Sequence, residues 1–113
     1  MEKINKNIGL FILNYNGLKW LKNNLTNIVE NSCAEIIIID NNSSDDSVKF
    51  ISNNFPKVKI HVHKKNYGFC KGYNKILLKE SKFDYFILMN NDVIVTENWI
   101  SPMLKILSYS LLI

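Results

Sequence analysis

The sequence predicts an α/β protein with a mainly parallel sheet and helices on both faces of that sheet. Short apolar runs alternate with longer segments whose apolar residues repeat at helical spacing, which is typical of parallel sheets. Two runs, residues 36–39 and 85–89, contain no charged residue and predict central strands buried on both sides. The 113 residues, of which 47% are hydrophobic, are enough for a single domain over residues 1–113.

Four segments are predicted as strands because they are short, apolar and rich in β-branched or aromatic residues. They are residues 8–13, 35–39, 58–63 and 85–89. The first helix is predicted between the first two strands, over residues 17–32. Its apolar side chains share one helical face, and they are Leu18, Leu21, Leu25 and Ile28.

Three further helices follow the second, third and fourth strands. One begins after Ser44, with two aspartates in its first turn, and ends before Pro56. The next runs from about residue 68 to 81. The last begins either at Thr96 or at Ser101, and Ser101 as N-cap is chemically easier because it places Pro102 at the first helical position.

Polar clusters follow all four predicted strands. Their sequences are NYNG at residues 14–17, DNNSS at 40–44, KKNYGF at 64–69 and NND at 90–92. Carboxyl ends of parallel strands meet at one edge of the sheet, where ligands bind. Asparagine-rich strand ends also form simple turns, so any single cluster has that alternative interpretation. Four together predict a polar ligand site.

Other common motifs do not fit these clusters. A calcium loop starting at Asp40 requires glycine at its sixth position and glutamate at its twelfth, where the chain has Asp45 and Ile51. Gly68 and Gly72 match neither the dinucleotide fingerprint nor the phosphate loop. At the NND cluster, Asp92 and neighbouring amide oxygens suit Mg²⁺ or Mn²⁺ held jointly with substrate phosphates, or else Asp92 only forms a turn.

Composition favours a cytoplasmic protein. Fourteen lysines and ten acidic residues give a formal charge of +4, and the lysines look scattered, so no nucleic-acid partner is predicted. Cys33 and Cys70 have no paired spacing, as expected for buried, reduced thiols. No apolar run approaches the roughly 20 residues that span a bilayer. A peripheral position at the inner face of the membrane stays open.

Five segments resemble, in order and spacing, the nucleotide-binding half of family 2 glycosyltransferases, and the nearest group is rhamnosyltransferase-like. The segments are FILNYNG, EIIIIDNNSSDDS, NYGFCKGYN, YFILMNNDVIV and ENWI. The resemblance covers about residues 8–107 and implies the Rossmann-like GT-A fold. It also implies transfer of a sugar from a UDP- or dTDP-sugar to an acceptor hydroxyl, in cell-surface polysaccharide synthesis.

The resemblance also implies roles for individual residues. Tyr15 lies near the base and Asp40 hydrogen-bonds it, while the segment Asn66 to Phe69 lines the sugar-nucleotide pocket. Asn90 occupies the place of the family's first metal-binding acid and contacts the ribose. The expected nucleotide-sugar-binding residues are Asn14, Tyr15, Asn16, Asp40, Asn41, Asn42, Ser43, Asn66, Gly68, Phe69, Asn74, Asn90 and Asn91.

By the same resemblance, Asp92 is the principal ligand of a divalent metal, Mg²⁺ or Mn²⁺, in an inverting and metal-dependent reaction. No catalytic residue is assigned, because the family's general base is expected beyond Ile113. The acceptor is expected to be a saccharide or a lipid-linked molecule.

The chain ends in the apolar helical segment MLKILSYSLLI, which predicts truncation at the C-terminus. Either a homodimer or a missing C-terminal segment is expected to cover this last helix. An alternative function is a non-catalytic module that keeps the half-fold and binds a nucleotide or a partner.

Overall fold

The computed structural model describes the backbone of residues 6–110 and the side chains of residues 6–107. Strands and helices alternate along this part of the chain, as predicted. The elements are β1 (Ile8–Asn14), α1 (Leu18–Asn31), β2 (Glu35–Asp40), α2 (Ser47–Asn54), β3 (Lys59–Val62), α3 (Gly68–Leu77), β4 (Tyr85–Asn90) and α4 (Ile100–Ser110).

The four strands form one parallel sheet in the order β3-β2-β1-β4. The chain proceeds outward from β1 to β2 and β3, and then α3 carries it back to β4 on the other side of β1. The strand order therefore reverses between β1 and β4, and a reversal of this kind opens a crevice at the carboxyl edge of a sheet. The predicted fold class is confirmed.

Helices cover both faces of the sheet. On one face, Leu21, Leu25 and Ile28 of α1 pack with Ile51 of α2 against alternate side chains of β1 and β2. On the other face, Tyr73 and Ile76 of α3 pack against the intervening strand residues, which include Phe11, Ile37 and Ile39. β1 and β2 are buried from both sides, which explains their unbroken apolar sequences.

β4 is not the doubly buried central strand predicted from its apolar run. Among the described residues it pairs only with β1, so its other edge is unpaired. Ile87 and Met89 pack on the α1 side, whereas Phe86 and Leu88, on the opposite face, are 42% and 47% exposed. An apolar run indicates that a strand has two apolar faces, but not that this part of the chain covers both.

Three helix boundaries also differ from prediction. α2 begins at Ser47, so Asp45 and Asp46 precede the helix instead of forming its first turn. α3 ends at Leu77 and continues only as a turn to Lys79. α4 begins at Ile100, between the two predicted starts at Thr96 and Ser101, and Pro102 is tolerated because the first N–H groups of a helix have no intrahelical partner. No helix in the range 6–110 is long and apolar enough to cross a membrane.

Candidate functional site

The side chain of Asn14, at the end of β1, joins three of the predicted polar clusters. It is 1% exposed, and its amide nitrogen donates to Asp40 Oδ1 at 2.9 Å and to Ser43 Oγ at 3.4 Å. Its Oδ1 accepts a bond of 2.8 Å from the side-chain nitrogen of Asn91, which follows β4. The clusters after β1, β2 and β4 therefore do meet at one edge, as predicted.

Asp40 lies beneath this edge and not on it. The residue is 0% exposed, and its Oδ1 accepts bonds from Asn14 Nδ2 at 2.9 Å and Ser43 Oγ at 2.7 Å. Its Oδ2 accepts the backbone N–H of Ser43 at 2.8 Å. The carboxylate therefore does not face the crevice in this structure, and its hydrogen bond to a base stays a prediction. As folded, the carboxylate fixes the turn that leaves β2.

Two asparagines of the site shape the backbone, as the turn interpretation allowed. Asn16 and Asn42 have positive φ angles of 50° and 65°, a conformation that asparagine tolerates better than most residues. The Oδ1 of Asn16 also accepts the N–H groups of Ser44 at 2.7 Å and Asp45 at 3.2 Å. The loops after β1 and β2 are thus held together by side chain to backbone bonds.

Asp45 completes this junction between the two loops. Its carboxylate accepts the N–H of Leu18, which opens α1, at 3.1 Å and the N–H of Ser47, which opens α2, at 3.0 Å. Burial would raise the pKa of Asp45, but its interactions with Ser47 and Leu18 outweigh burial and lower that pKa below its ordinary value. One ionised carboxylate therefore supports the start of two helices.

The loop between β3 and α3 is tied to the same edge by Asn41, which is 2% exposed. Asn41 donates from Nδ2 to the carbonyl oxygen of Gly68 at 3.0 Å. Gly68 has φ +78°, where a side chain would be strained, and its N–H donates to Asn66 Oδ1 at 2.9 Å. Asn41 and Asn66 thus position the beginning of α3.

Two structural residues of the site were not predicted. Tyr73 reaches from α3 to the carboxyl ends of β1 and β4, accepting Leu13 N–H at 3.2 Å and donating to Met89 C=O at 3.1 Å. Burial raises the pKa of Tyr73, so the hydroxyl keeps its proton for that bond. Asn24, on the buried face of α1, donates to the carbonyl of Asn91 at 3.1 Å. The sequence signal that could have identified Asn24 is its position as a polar residue on the apolar face of α1.

The remaining predicted residues are exposed and surround the buried network. Tyr15 and Phe69 are 51% and 60% exposed, a large fraction for aromatic side chains. Polar groups lie on the loops and strand ends beside them. The exposed residues from the predicted set are Tyr15, Asn16, Asn42, Asn66, Gly68, Phe69, Asn74, Asn90 and Asp92. The site therefore consists of a buried scaffold and an open polar and aromatic surface.

Asp92 is the residue at this edge that suits a metal ion. It is exposed, directly follows the bonded Asn91, and makes no hydrogen bond or ion pair within the described part of the chain. Residues 6–110 contain no group of three or more histidine, cysteine or acidic side chains that could hold a metal alone. A single carboxylate fits Mg²⁺ or Mn²⁺ when substrate phosphates supply further ligands.

Replacing Gly17 by alanine is expected to disturb the amide pair formed by Asn14 and Asn91. A Cβ atom at Gly17 would overlap Asn14 Oδ1 and Asn91 Nδ2, although the φ of −103° is acceptable for alanine. We expect a loss of about 1–3 kcal/mol in the free energy of unfolding, measured by urea denaturation. Asn23→Ala, at an exposed position of α1, is the control and should cost less than about 0.5 kcal/mol. Equal losses would show that the amide pair can move aside.

Comparison with known proteins agrees with this geometry. The glycosyl transferase family 2 model matches residues 10–109. The curated glycosyltransferase SunS of Bacillus subtilis (strain 168), derived from the SPbeta prophage, is 38% identical over 81 residues. That alignment covers 71% of this chain but only 19% of SunS, so the chain spans about a fifth of the relative's length.

Solved structures share the fold at low sequence identity. S. aureus TarS residues 1–349 in complex with UDP-GlcNAc matches with a TM-score of 0.77 and 15% identity, over 91% of this chain and 31% of TarS. The mannosyltransferase PcManGT from Pyrobaculum calidifontis, in complex with GDP-Man and Mn²⁺, matches with a TM-score of 0.71 and 16% identity. This second match covers 82% of this chain and 29% of PcManGT.

Proposed function

Because the chain belongs to glycosyl transferase family 2, we propose that it is the donor-binding part of an enzyme that uses a UDP- or dTDP-sugar. The observation that carries this proposal is the separation of roles at the carboxyl edge. Asn14, Asp40 and Asn41 are buried and internally bonded, whereas Tyr15 and Asp92 are exposed beside them. A buried polar scaffold with exposed aromatic and acidic groups beside it suits a nucleoside diphosphate.

Each exposed group is proposed to contact a different part of the sugar-nucleotide donor. The ring of Tyr15 offers a stacking surface for the base. The free amides of Asn42 and Asn90 can donate and accept hydrogen bonds with the base or ribose. Asp92 holds the divalent cation, which, when bound, neutralises charge developing on the departing diphosphate. The Asp40 carboxylate contributes by fixing the loop that carries Asn42.

We assign no general base to this chain. Inverting transfer requires a base that activates the acceptor hydroxyl opposite the leaving diphosphate. Asp92 is already assigned to the metal, and the carboxylates of Asp40 and Asp45 are engaged in structural bonds. We therefore propose that the general base and the acceptor site come from outside these 113 residues. The proposed acceptor is a saccharide or a lipid-linked molecule, in the synthesis of a cell-surface polysaccharide.

Calorimetric titration of the chain with UDP and with dTDP, each with Mn²⁺, tests the proposal. We expect at least one of them to bind, and binding to weaken when EDTA removes the metal. ADP serves as the control nucleotide, because it carries the same diphosphate on a different base. If neither pyrimidine diphosphate binds with Mn²⁺, or if ADP binds equally well, the donor assignment is wrong.

One feature favours a second function, a non-catalytic module that binds a partner. Phe86 and Leu88 of β4 leave an apolar face open, and α4 adds the exposed side chains of Met103, Ile106 and Leu107. Surfaces of this kind are usually covered. Sedimentation velocity distinguishes the cases: a stable homodimer that lacks affinity for nucleotides favours the module, whereas a monomer that binds UDP favours the donor half.

A further inference from the structure

Positive charge is concentrated in one segment of the chain. Residues 47–79 contain eight of the fourteen lysines and no acidic residue, whereas the other positions hold six lysines and all ten acidic residues. The segment has a formal charge of +8 and the rest of the chain −4, which together give the net +4. This asymmetry is large enough to favour an anionic partner.

The fold gathers five of these lysines around one aromatic ring and one cavity. We call them the basic patch, and they are Lys64, Lys65, Lys71, Lys75 and Lys79. The ammonium groups of Lys65, Lys71 and Lys75 lie 5.4, 5.2 and 4.4 Å from the centre of the Tyr67 ring. Beside them is a cavity of about 360 Å³, lined by Tyr67, Lys64, Lys75, Lys79 and the end of β3.

No lysine of the basic patch forms an ion pair within the described residues, although Glu80 pairs with His61, which lines the same cavity. The ion pairs found there join Lys59 and His61 to Glu80, and Lys82 to Glu35, so none includes a lysine of the basic patch. Cation–π contact with Tyr67 compensates the repulsion between these lysines only weakly at an exposed site. Several like charges are therefore held close together, which an anion in the cavity would relieve.

Exposed aliphatic side chains border the same patch. Val62, at the end of β3, lines the cavity and is 55% exposed, and Leu78, directly before Lys79, is 86% exposed. Lysines beside exposed aliphatic groups suit an anionic bilayer, where ammonium groups meet phosphates and apolar side chains enter the boundary with the acyl chains. A nucleic acid has no acyl region into which the side chains of Val62 and Leu78 could insert.

We propose that the basic patch docks this domain on an anionic phospholipid surface, with a lipid phosphate in the cavity beside Tyr67 and with Val62 and Leu78 inserted at the interface. The proposal does not depend on the donor assignment. The loop over residues 64–69 belongs both to the patch and to the carboxyl edge of the sheet, so docking would hold the crevice next to the membrane. A lipid-linked molecule would then reach that edge without leaving the bilayer.

Vesicle co-sedimentation of the chain tests this docking. We expect binding to phosphatidylcholine vesicles containing about one-third phosphatidylglycerol, weaker binding at higher salt, and none to pure phosphatidylcholine. The double variant Lys71→Glu/Lys75→Glu should lower the partition coefficient roughly 30-fold or more, from about tenfold per 1.4 kcal/mol and about 1 kcal/mol per lysine. Leu78→Ser should lower it roughly tenfold at unchanged charge.

Lys19→Glu/Lys22→Glu on α1 is the matched control, with the same change in charge outside the patch, and should lower binding less than about threefold. If circular dichroism shows that Lys71→Glu/Lys75→Glu is unfolded, the double variant Lys64→Glu/Lys65→Glu, in an exposed loop, is used for the same test. The proposal is wrong if control and patch variants lose binding equally, or if wild type does not distinguish the two vesicles. It is also wrong if the chain binds an oligonucleotide but not the anionic vesicles at the same salt.

Discussion

Replacing Asp40 by alanine is expected to lower the free energy of unfolding by about 2–3 kcal/mol, measured by urea denaturation. The carboxylate is 0% exposed and accepts three hydrogen bonds, from Asn14 Nδ2, Ser43 Oγ and Ser43 N–H. Its removal takes the acceptor from both donors of Ser43 and leaves Asn14 Nδ2 with only its longer bond of 3.4 Å to Ser43 Oγ. Natural domains have only about 5–15 kcal/mol of stability in total, so this loss is a large fraction and should lower the urea midpoint clearly.

Asp46→Ala is the matched control for this prediction, because Asp46 is an exposed aspartate in the same loop whose side chain makes no capping bond. Its loss should cost less than about 1 kcal/mol. The role predicted from the sequence, a hydrogen bond between Asp40 and a base, has a different expected result. If Asp40→Ala keeps the stability of the wild type and loses only its affinity for UDP, then the carboxylate contacts the base.

The opposite behaviour is expected for Asp92. Because it is exposed and makes no bond within the described residues, Asp92→Ala should change the free energy of unfolding by less than about 0.5 kcal/mol. In contrast, the affinity for UDP with Mn²⁺ should fall roughly tenfold to a hundredfold, the range found when groups supporting a metal site are removed. Calorimetry with and without EDTA measures this difference.

Glu30→Ala removes another exposed carboxylate, near the end of α1, and should leave the affinity for UDP unchanged. With EDTA present, the wild type and Asp92→Ala should bind UDP equally, because the carboxylate acts only through the metal. A loss of affinity that persists in EDTA would mean that Asp92 contacts the nucleotide directly, and the metal assignment would then be wrong.

Much of the fold follows from the sequence, because unbroken isoleucine runs and helical spacing are local signals. The register of β1 with β2, which pairs Asn14 with Asp40, brings the predicted clusters together as parallel strands require. Sequence does not show how far each side chain lies below the surface. Asp40 and Asn42 look equivalent in DNNSS, yet one is buried under three bonds and the other is exposed.

Two other differences arise from long-range contacts. The tyrosine in GFCKGYN looked like an ordinary apolar helix residue, and only the packing of α3 against the ends of β1 and β4 gives the Tyr73 hydroxyl its two partners. Lysines that looked scattered along the chain are gathered around Tyr67 because α3 returns beside the end of β3. Cys70, predicted to be buried, is exposed, since its position on α3 faces away from the sheet core.

We propose that the carboxyl edge of the sheet binds a nucleoside diphosphate, and amide chemical-shift mapping with UDP and Mg²⁺ would locate that binding residue by residue. We expect shifts at Tyr15, Gly68 and Asp92. No change is expected around the cavity of about 320 Å³ near the opposite edge, which includes Asn7 and Glu35 in its lining. If shifts are confined to that opposite cavity, with the signals of Tyr15 and Asp92 unmoved, the carboxyl edge is not the nucleotide site.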